Sequence, residues 1–258
     1  MNSSQLIEVA GKVPLLGPSL RWCANQYPEN SVVKIKNGRA AGLLWKRHHR
    51  YVNGYWIGHY ELPIQEALSR ELQPGDTFFD VGANAGFFTL VAASLVGTSG
   101  RCVAFEPAPD NCSSIREQIE TNSLRHCLLV PEAIADREGL AVFSFAAPGS
   151  PMGHLGQGQS HERQIEVNVT TLDAACARFG KPHFIKMDIE GAEATALCAA
   201  RKTLREIRPG WLIELHGTEC ERAVKRELQA ADYTFLNLEG VTLPANAALP
   251  QHFLARPN

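Results

Sequence analysis

The chain has 258 residues, a net charge of −2, 45% hydrophobic residues and 20% charged residues. That length holds one large domain, or one domain with a modest extension, and the apolar fraction suffices for a sizeable core. So balanced a charge excludes a chain-wide attraction to nucleic acid. The one basic run, Lys46-Arg47-His48-His49-Arg50, reads as a solvated strand or turn. Met1 to Ala10 lacks a positive stretch followed by an apolar core, so no secretory signal is expected. The uncharged run from Val81 to Gly100 contains four glycines and is densely apolar only over Phe87–Val96, too short for a bilayer. Seven scattered cysteines without a C-x-x-C pair predict reduced thiols and no zinc site. The expectation is a soluble cytoplasmic protein with neither a membrane nor a nucleic-acid partner.

In chain order, residues 1–58 read as an N-terminal β-rich cap on a main domain, 59–258. Ser31–Ile35 and Ala41–Trp45 predict a hairpin about Asn37-Gly38, with a third extended piece over Arg50–Trp56. Aromatics gather there, among them Trp22, Tyr27, Trp45, Tyr55 and Trp56. Pro63 opens a helix, with Ile64, Leu68 and Leu72 at four-residue spacing before Pro74-Gly75. Then follow strand Thr77–Val81, helix Phe87–Val96, strand Arg101–Phe105, helix Pro109–Asn122 and strand Cys127–Val130. This is the β-α-β-α-β order of a parallel sheet. Extended runs Leu140–Phe145 and Gln164–Thr170 flank a Gly/Ser/Pro-rich loop, Ala146–Arg163, with surface histidines His154 and His161. A short helix from Thr171, strand His183–Asp188, an alanine-rich helix from Ala192 to Leu204 and strand Trp211–His216 come next. Helix Thr218–Ala231, strand Tyr233–Leu236 and a last strand within His252–Arg256 complete the chain.

The chemistry centres on Asp80-Val81-Gly82-Ala83-Asn84-Ala85-Gly86, a glycine-rich turn between strand and helix. Such a turn at the carboxyl end of a parallel strand is where α/β sheets hold nucleotide cofactors. Glu106, ending the next strand, is placed to accept hydrogen bonds from ribose hydroxyls. A dinucleotide site prefers G-x-G-x-x-G, and the middle glycine is absent here. The Asp80 carboxylate would repel a pyrophosphate and suit an amino group or a sulfonium. This favours S-adenosylmethionine over NAD. An NAD-dependent oxidoreductase and a non-catalytic binding module stand as alternatives.

Five segments together resemble the FkbM family of S-adenosylmethionine-dependent methyltransferases. They are Asp80–Gly86, Phe105-Glu106-Pro107, Thr171-Leu172-Asp173, the run Phe184-Ile185-Lys186-Met187-Asp188-Ile189-Glu190-Gly191-Ala192-Glu193, and Glu214-Leu215-His216. The similarity spans Gly58 to His216. It implies a class I methyltransferase Rossmann-like fold: a seven-stranded, mostly parallel sheet with an antiparallel last strand and helices on both faces. It also implies that Asp80, Gly82, Asn84 and Gly86 hold the methionine part of the cofactor, that Glu106 binds the ribose, and that Glu132 and Ala133 contact adenine. The implied reaction is O-methylation of a sugar or secondary metabolite.

For the catalytic end, period two places Lys186 and Asp188 on one side of their strand, and Glu214 and His216 on one side of theirs. Asp188, His216 and Lys186 are the candidates. His216 is expected to accept the hydroxyl proton near neutral pH, with Asp188 orienting it or binding the hydroxyl. A less favoured arrangement has Asp188, Glu190 and His216 holding a divalent metal. Glu190 and Glu193 otherwise read as acids at the start of the next helix.

Overall fold

The computed structural model describes residues 27–51, 54–146, 153–158 and 162–258. The expectations for Met1–Ala10, Trp22, Cys23 and His161 lie outside the described residues. A two-stranded antiparallel ladder comes first, β1 (Val32–Lys34) with β2 (Leu44–Lys46). The chain reverses between them over a longer path than the two-residue Asn37-Gly38 turn that the sequence suggests. Gly38 is needed for approach: a Cβ there would lie 2.1 Å from the Gly58 carbonyl oxygen. Among the described residues of Arg50–Trp56, the expected third strand is not found. Its end is instead a 3-10 turn, Tyr55–Ile57, between Gly54 and Gly58, both in left-handed conformation.

The main domain follows the predicted alternation. Helix α1 (Leu62–Glu71) precedes β3 (Thr77–Val81), α2 (Phe87–Val96) and β4 (Arg101–Phe105). Then come α3 (Pro109–Thr121), β5 (Cys127–Val130), β6 (Ala133–Ile134), β7 (Gly139–Phe145), β8 (Gly153–Leu155) and β9 (Arg163–Thr170). The remainder is α4 (Leu172–Phe179), β10 (Phe184–Met187), α5 (Glu193–Ala199), β11 (Gly210–Glu214), α6 (Thr218–Ala230), β12 (Tyr233–Leu236) and β13 (His252–Pro257). The alanine-rich helix stops short of Leu204. Asp173 accepts the backbone N–H groups of Lys202 and Thr203 at 3.0 and 2.8 Å, and a π turn, Thr203–Ile207, follows.

Seven strands form the main sheet in the order β12-β13-β11-β10-β3-β4-β5. All pairs are parallel except those of β13, which runs antiparallel to β11 and β12. The chain winds outward from β3 to β5, then returns to β10 on the other side of β3. The carboxyl ends of β3 and β10 therefore flank the switch point at which α/β sheets leave a crevice. Alternate residues serve opposite layers. Phe79, Val81, Ile185, Met187 and Trp211 pack under α4, α5 and α6. Phe78, Phe184 and Leu212 pack with α1, α2 and the cap residues Ile35, Trp45 and Tyr55.

Two further features differ from expectation. Strands β6, β9, β7 and β8 form a separate four-stranded sheet, so part of the Ala146–Arg163 loop is strand. The cap, moreover, is bound to α3 by amide side chains that act as a strand partner would. Gln118 accepts from the Lys46 N–H and donates to the Lys46 carbonyl, both at 2.9 Å; Asn122 does the same for Leu44, at 2.7 and 2.8 Å. Gln118→Leu would strand both groups of Lys46. It is expected to lower the unfolding free energy by about 1–3 kcal/mol in urea titrations. An unchanged midpoint would show that the amide does not hold the cap.

Candidate functional site

The glycine turn is built for close approach. Gly82 has φ 82°, and a Cβ there would stand 1.8 Å from the Asp188 carbonyl oxygen, so any side chain would push apart the ends of β3 and β10. Gly86 (φ 89°) instead lets α2 pack on Ile115, which its Cβ would approach to 3.1 Å. Asn84 adopts φ 49°, strained for a residue with a side chain. Its N–H donates to Glu106 Oε2 at 2.8 Å, and its own Oδ1 is buried with no hydrogen-bond partner among the described residues.

Glu106 is 4% exposed. Its Oε1 accepts from the Ala108 N–H at 2.9 Å and from Asn111 Nδ2 at 3.2 Å. Burial still pushes its pKa up to about 7, against these donors.

One cleft brings together Gly82, Asn84, Glu106, Ala133, Asp188 and Glu190. The other predicted residues are not on its lining. Asp80 lies beneath it, fully buried. Its Oδ2 accepts from Thr89 Oγ1 at 2.6 Å, and burial raises its pKa while Lys186 and Thr89 lower it. Its Oδ1 is buried with no hydrogen-bond partner among the described residues, and the charge of Lys186 on the adjacent strand acts on it. Glu132 turns away to a bidentate pair with Arg178, at 2.6 and 2.9 Å, leaving Ala133 on the cleft.

Lys186 pairs in register with Asp80 across β10 and β3, and its ammonium donates to Asp188 Oδ2 at 3.1 Å. It also lies 5.0 Å from the Phe88 ring centre. Burial lowers its pKa, but Asp188, Asp80 and Glu61 more than offset this and leave it above the ordinary lysine value. A buried, permanently charged Lys186 positions Asp188 and has no free electron pair with which to take a proton.

His216 differs most from the sequence reading. Its Nδ1 is 3.0 Å from Glu193 Oε1, and its Nε2 faces Glu190 at 3.4 Å, Glu214 at 3.8 Å and Asp188 at 3.9 Å. The Glu193 hydrogen bond, opposed by burial and aided by the surrounding carboxylates, raises its pKa to about 9. At neutral pH the ring is already protonated, so it is not the expected proton acceptor. Glu193 is fully buried and also accepts from the N–H groups of Ile189 and Gly191, which fixes the turn after β10. Glu190 sits on that turn at φ 53°. Burial first, then the charges of Asp188, Glu214 and Glu193, push its pKa up to about 7 against the pull of His216.

Asp188, Glu214 and His216, rather than the expected Asp188, Glu190 and His216, are the side chains whose ligand atoms converge within 4.8 Å. Each of the three also has a protein partner: Asp188 accepts from Lys186, Glu214 lies 3.0 Å from His252 and accepts from Gln251 at 2.9 Å, and His216 bonds Glu193. His252 is the register partner of Glu214 on β13 and was not legible as a site residue before the sheet order was known. The unpaired Asn84 Oδ1, on the lining of the cleft, fits a small ligand with a donor group.

The family model described as "Methyltransferase FkbM domain" matches residues 80–238. Protein-L-isoaspartate O-methyltransferase 1 of Arabidopsis thaliana is 28% identical over 101 residues, 39% of this chain and 36% of that protein. The solved FkbM methyltransferase of Methylobacillus flagellatus KT is similar over 70% of this chain and 43% of its own, at 18% identity and a TM-score of 0.49. An rRNA methylase of Streptococcus thermophilus is similar over 76% and 96%, at 14% identity and a TM-score of 0.46. The chain thus spans about two fifths of the length of the first two relatives.

Glu106 gives a pH test. Its folded pKa lies above the ordinary 4.5, so its contribution to stability is full below that value and is lost as pH rises through about 7. A nucleoside whose ribose hydroxyls donate to the carboxylate binds the ionised form. Affinity for 5′-methylthioadenosine is therefore expected to rise about tenfold from pH 6 to pH 8 in calorimetric titrations. A flat profile would separate Glu106 from ribose binding.

Proposed function

The chain belongs to the FkbM methyltransferase family, and from that premise we propose that it moves the methyl group of S-adenosylmethionine to a hydroxyl oxygen of a small molecule, a sugar or secondary metabolite. The observation that carries this reading is the single cleft joining Gly82, Asn84 and Glu106 to Asp188 and Glu190. Bound there, S-adenosylmethionine supplies a methyl group made electrophilic by its sulfonium.

The residues divide the remaining work. Glu106 accepts the ribose hydroxyls, and the unpaired Asn84 Oδ1 accepts from the amino group. Asp188 has one oxygen held by Lys186, and its other oxygen is directed to the acceptor hydroxyl. Glu190, with its pKa near 7, takes the hydroxyl proton as the oxygen attacks the methyl carbon. The electron pair of the breaking C–S bond stays on sulfur. His216 keeps the role of positioning group: its positive charge, 3.4 Å from Glu190, holds the carboxylates together at the ends of β10 and β11.

The acidic lining of Glu106, Asp110, Asp188 and Glu190 opposes a polyanionic acceptor and supports a small molecule over nucleic acid. A cytoplasmic setting is supported by the cysteines: all six among the described residues are unpaired. No helix among the described residues is long and apolar enough to cross a membrane.

A screen of hydroxylated sugars and metabolites, read as S-adenosylhomocysteine release, tests the reaction. With an acceptor in hand, Asp188→Asn and Glu190→Gln are expected to lose about 10²–10⁴-fold in kcat while retaining cofactor affinity. Full turnover in both would remove them from the chemistry. Chelation with EDTA is expected to leave the rate unchanged, and loss of activity restored by a divalent cation would overturn the metal-free assignment. Release of S-adenosylhomocysteine with rRNA but with no hydroxylated small molecule would contradict the proposed acceptor class.

A further inference from the structure

The N-terminal cap lies outside the family resemblance, yet it reaches the cleft through a single amide. The cap docks along α3. Toward the end of that helix the Leu44 backbone meets Asn122, and Lys46 and His48 meet Glu117. Toward its start, beside Glu106, Arg50 donates to the Asp110 carbonyl at 3.0 Å and the Tyr51 hydroxyl donates to Asn111 Oδ1 at 2.8 Å. Asn111 is buried and lines the cleft. With its oxygen turned to the phenol, its Nδ2 is the end that faces Glu106, and it donates to Oε1 at 3.2 Å. Tyr51, Asn111 and Glu106 thus form a directed hydrogen-bond chain from the cap to the cleft.

The direction of this chain matters because an amide has two ends of similar size. Turned over, Asn111 would set its oxygen against the carboxylate, acceptor against acceptor. The Tyr51 hydroxyl holds it the other way, and the Tyr51 ring is itself set edge-on to the rings of His48 and Tyr55, at 6.2 and 6.3 Å. No neighbouring charge takes the place of this donor. Asp80 on β3, Asp110 at the start of α3, and Asp188 and Glu190 on the same cleft are all acids. Glu132, beyond β5, is paired with Arg178. The Cys112 thiol donates to the Glu106 carbonyl, not to its carboxylate. The cap's cations are engaged along α3, Arg50 on the Asp110 carbonyl and Lys46 on Glu117. Resting on the reading that Glu106 takes the ribose of S-adenosylmethionine, we propose that Tyr51 is a positioning residue for the cofactor: by fixing the Asn111 amide it keeps a donor on the Glu106 carboxylate, so the cap governs nucleoside binding.

The test is calorimetric titration of the full chain with 5′-methylthioadenosine from pH 6 to pH 9. Tyr51→Phe keeps the ring and its packing and removes only the hydroxyl. Losing a donor to the ionised carboxylate makes its proton harder to remove. The rise of affinity with pH is therefore expected to move upward by roughly half to one pH unit. Affinity then falls about two- to fivefold at pH 7 and approaches the native value by pH 9. Asn111→Ala is expected to displace the profile in the same direction, and adding Tyr51→Phe to it to change nothing further, because both act through one contact. An unmoved profile in Tyr51→Phe, a weakening that is equal at every pH, or fully additive effects in the double variant would overturn the inference. A native chain that binds no nucleoside at millimolar concentration, or binds it with a flat pH profile, would instead overturn the cofactor reading of Glu106, and this inference with it.

Discussion

The site rests on a buried lysine. Lys186 stands at the switch point of the sheet, level with Asp80 on the adjacent strand, and reaches Asp188 at the strand end. An ammonium so enclosed is tolerated only because carboxylates surround it, and each of those carboxylates is tolerated only because of the lysine. This mutual dependence fixes the conformation of Asp188. It also explains how a carboxylate as deep as Asp80 can sit under the glycine turn. Gly82 completes the arrangement by letting the two strand ends close to van der Waals contact, so the charged layer and the cofactor turn form one rigid unit.

The same crowding sets the protonation states above it. Six carboxylates, Glu61, Asp80, Asp188, Glu190, Glu193 and Glu214, share three cationic partners, Lys186, His216 and His252. The imidazole of His216 responds by gaining affinity for its proton, and the pKa of Glu190 rises to about 7. The roles of acid and base are thus distributed by neighbours drawn from β10, β11, β13 and the start of α1. Three residues of this region, Glu61, Asn84 and Glu190, hold positive φ without being glycine.

Much of this was legible before the structure. The β-α-β order, the glycine turn and the placement of Glu106 follow from local patterns: period two in strands, Pro63 at a helix start, glycine where backbone must approach backbone. What local patterns do not carry is proximity between distant segments. Nothing near His216 in sequence reveals that Glu193 will bond its Nδ1, so the upward shift of its pKa was not legible. His252 is adjacent to Glu214 only because β13 inserts between β12 and β11. The pairing of Glu132 with Arg178, 46 residues later, is another contact that no local pattern carries. Phe143 and Phe145, which line the cleft, read as a plain strand, since the face that a strand presents to a cleft depends on the sheet it joins. Here that is a second, four-stranded sheet.

The central claim is that one cleft holds the methyl donor between Glu106 and Asp188. A crystal structure of the chain grown with S-adenosylhomocysteine tests it most directly. The account predicts ribose hydroxyls on the Glu106 carboxylate, the amino-acid end beside Asn84 and the sulfur facing Asp188 and Glu190. A nucleoside bound elsewhere, or bound in the opposite sense along the cleft, would contradict it.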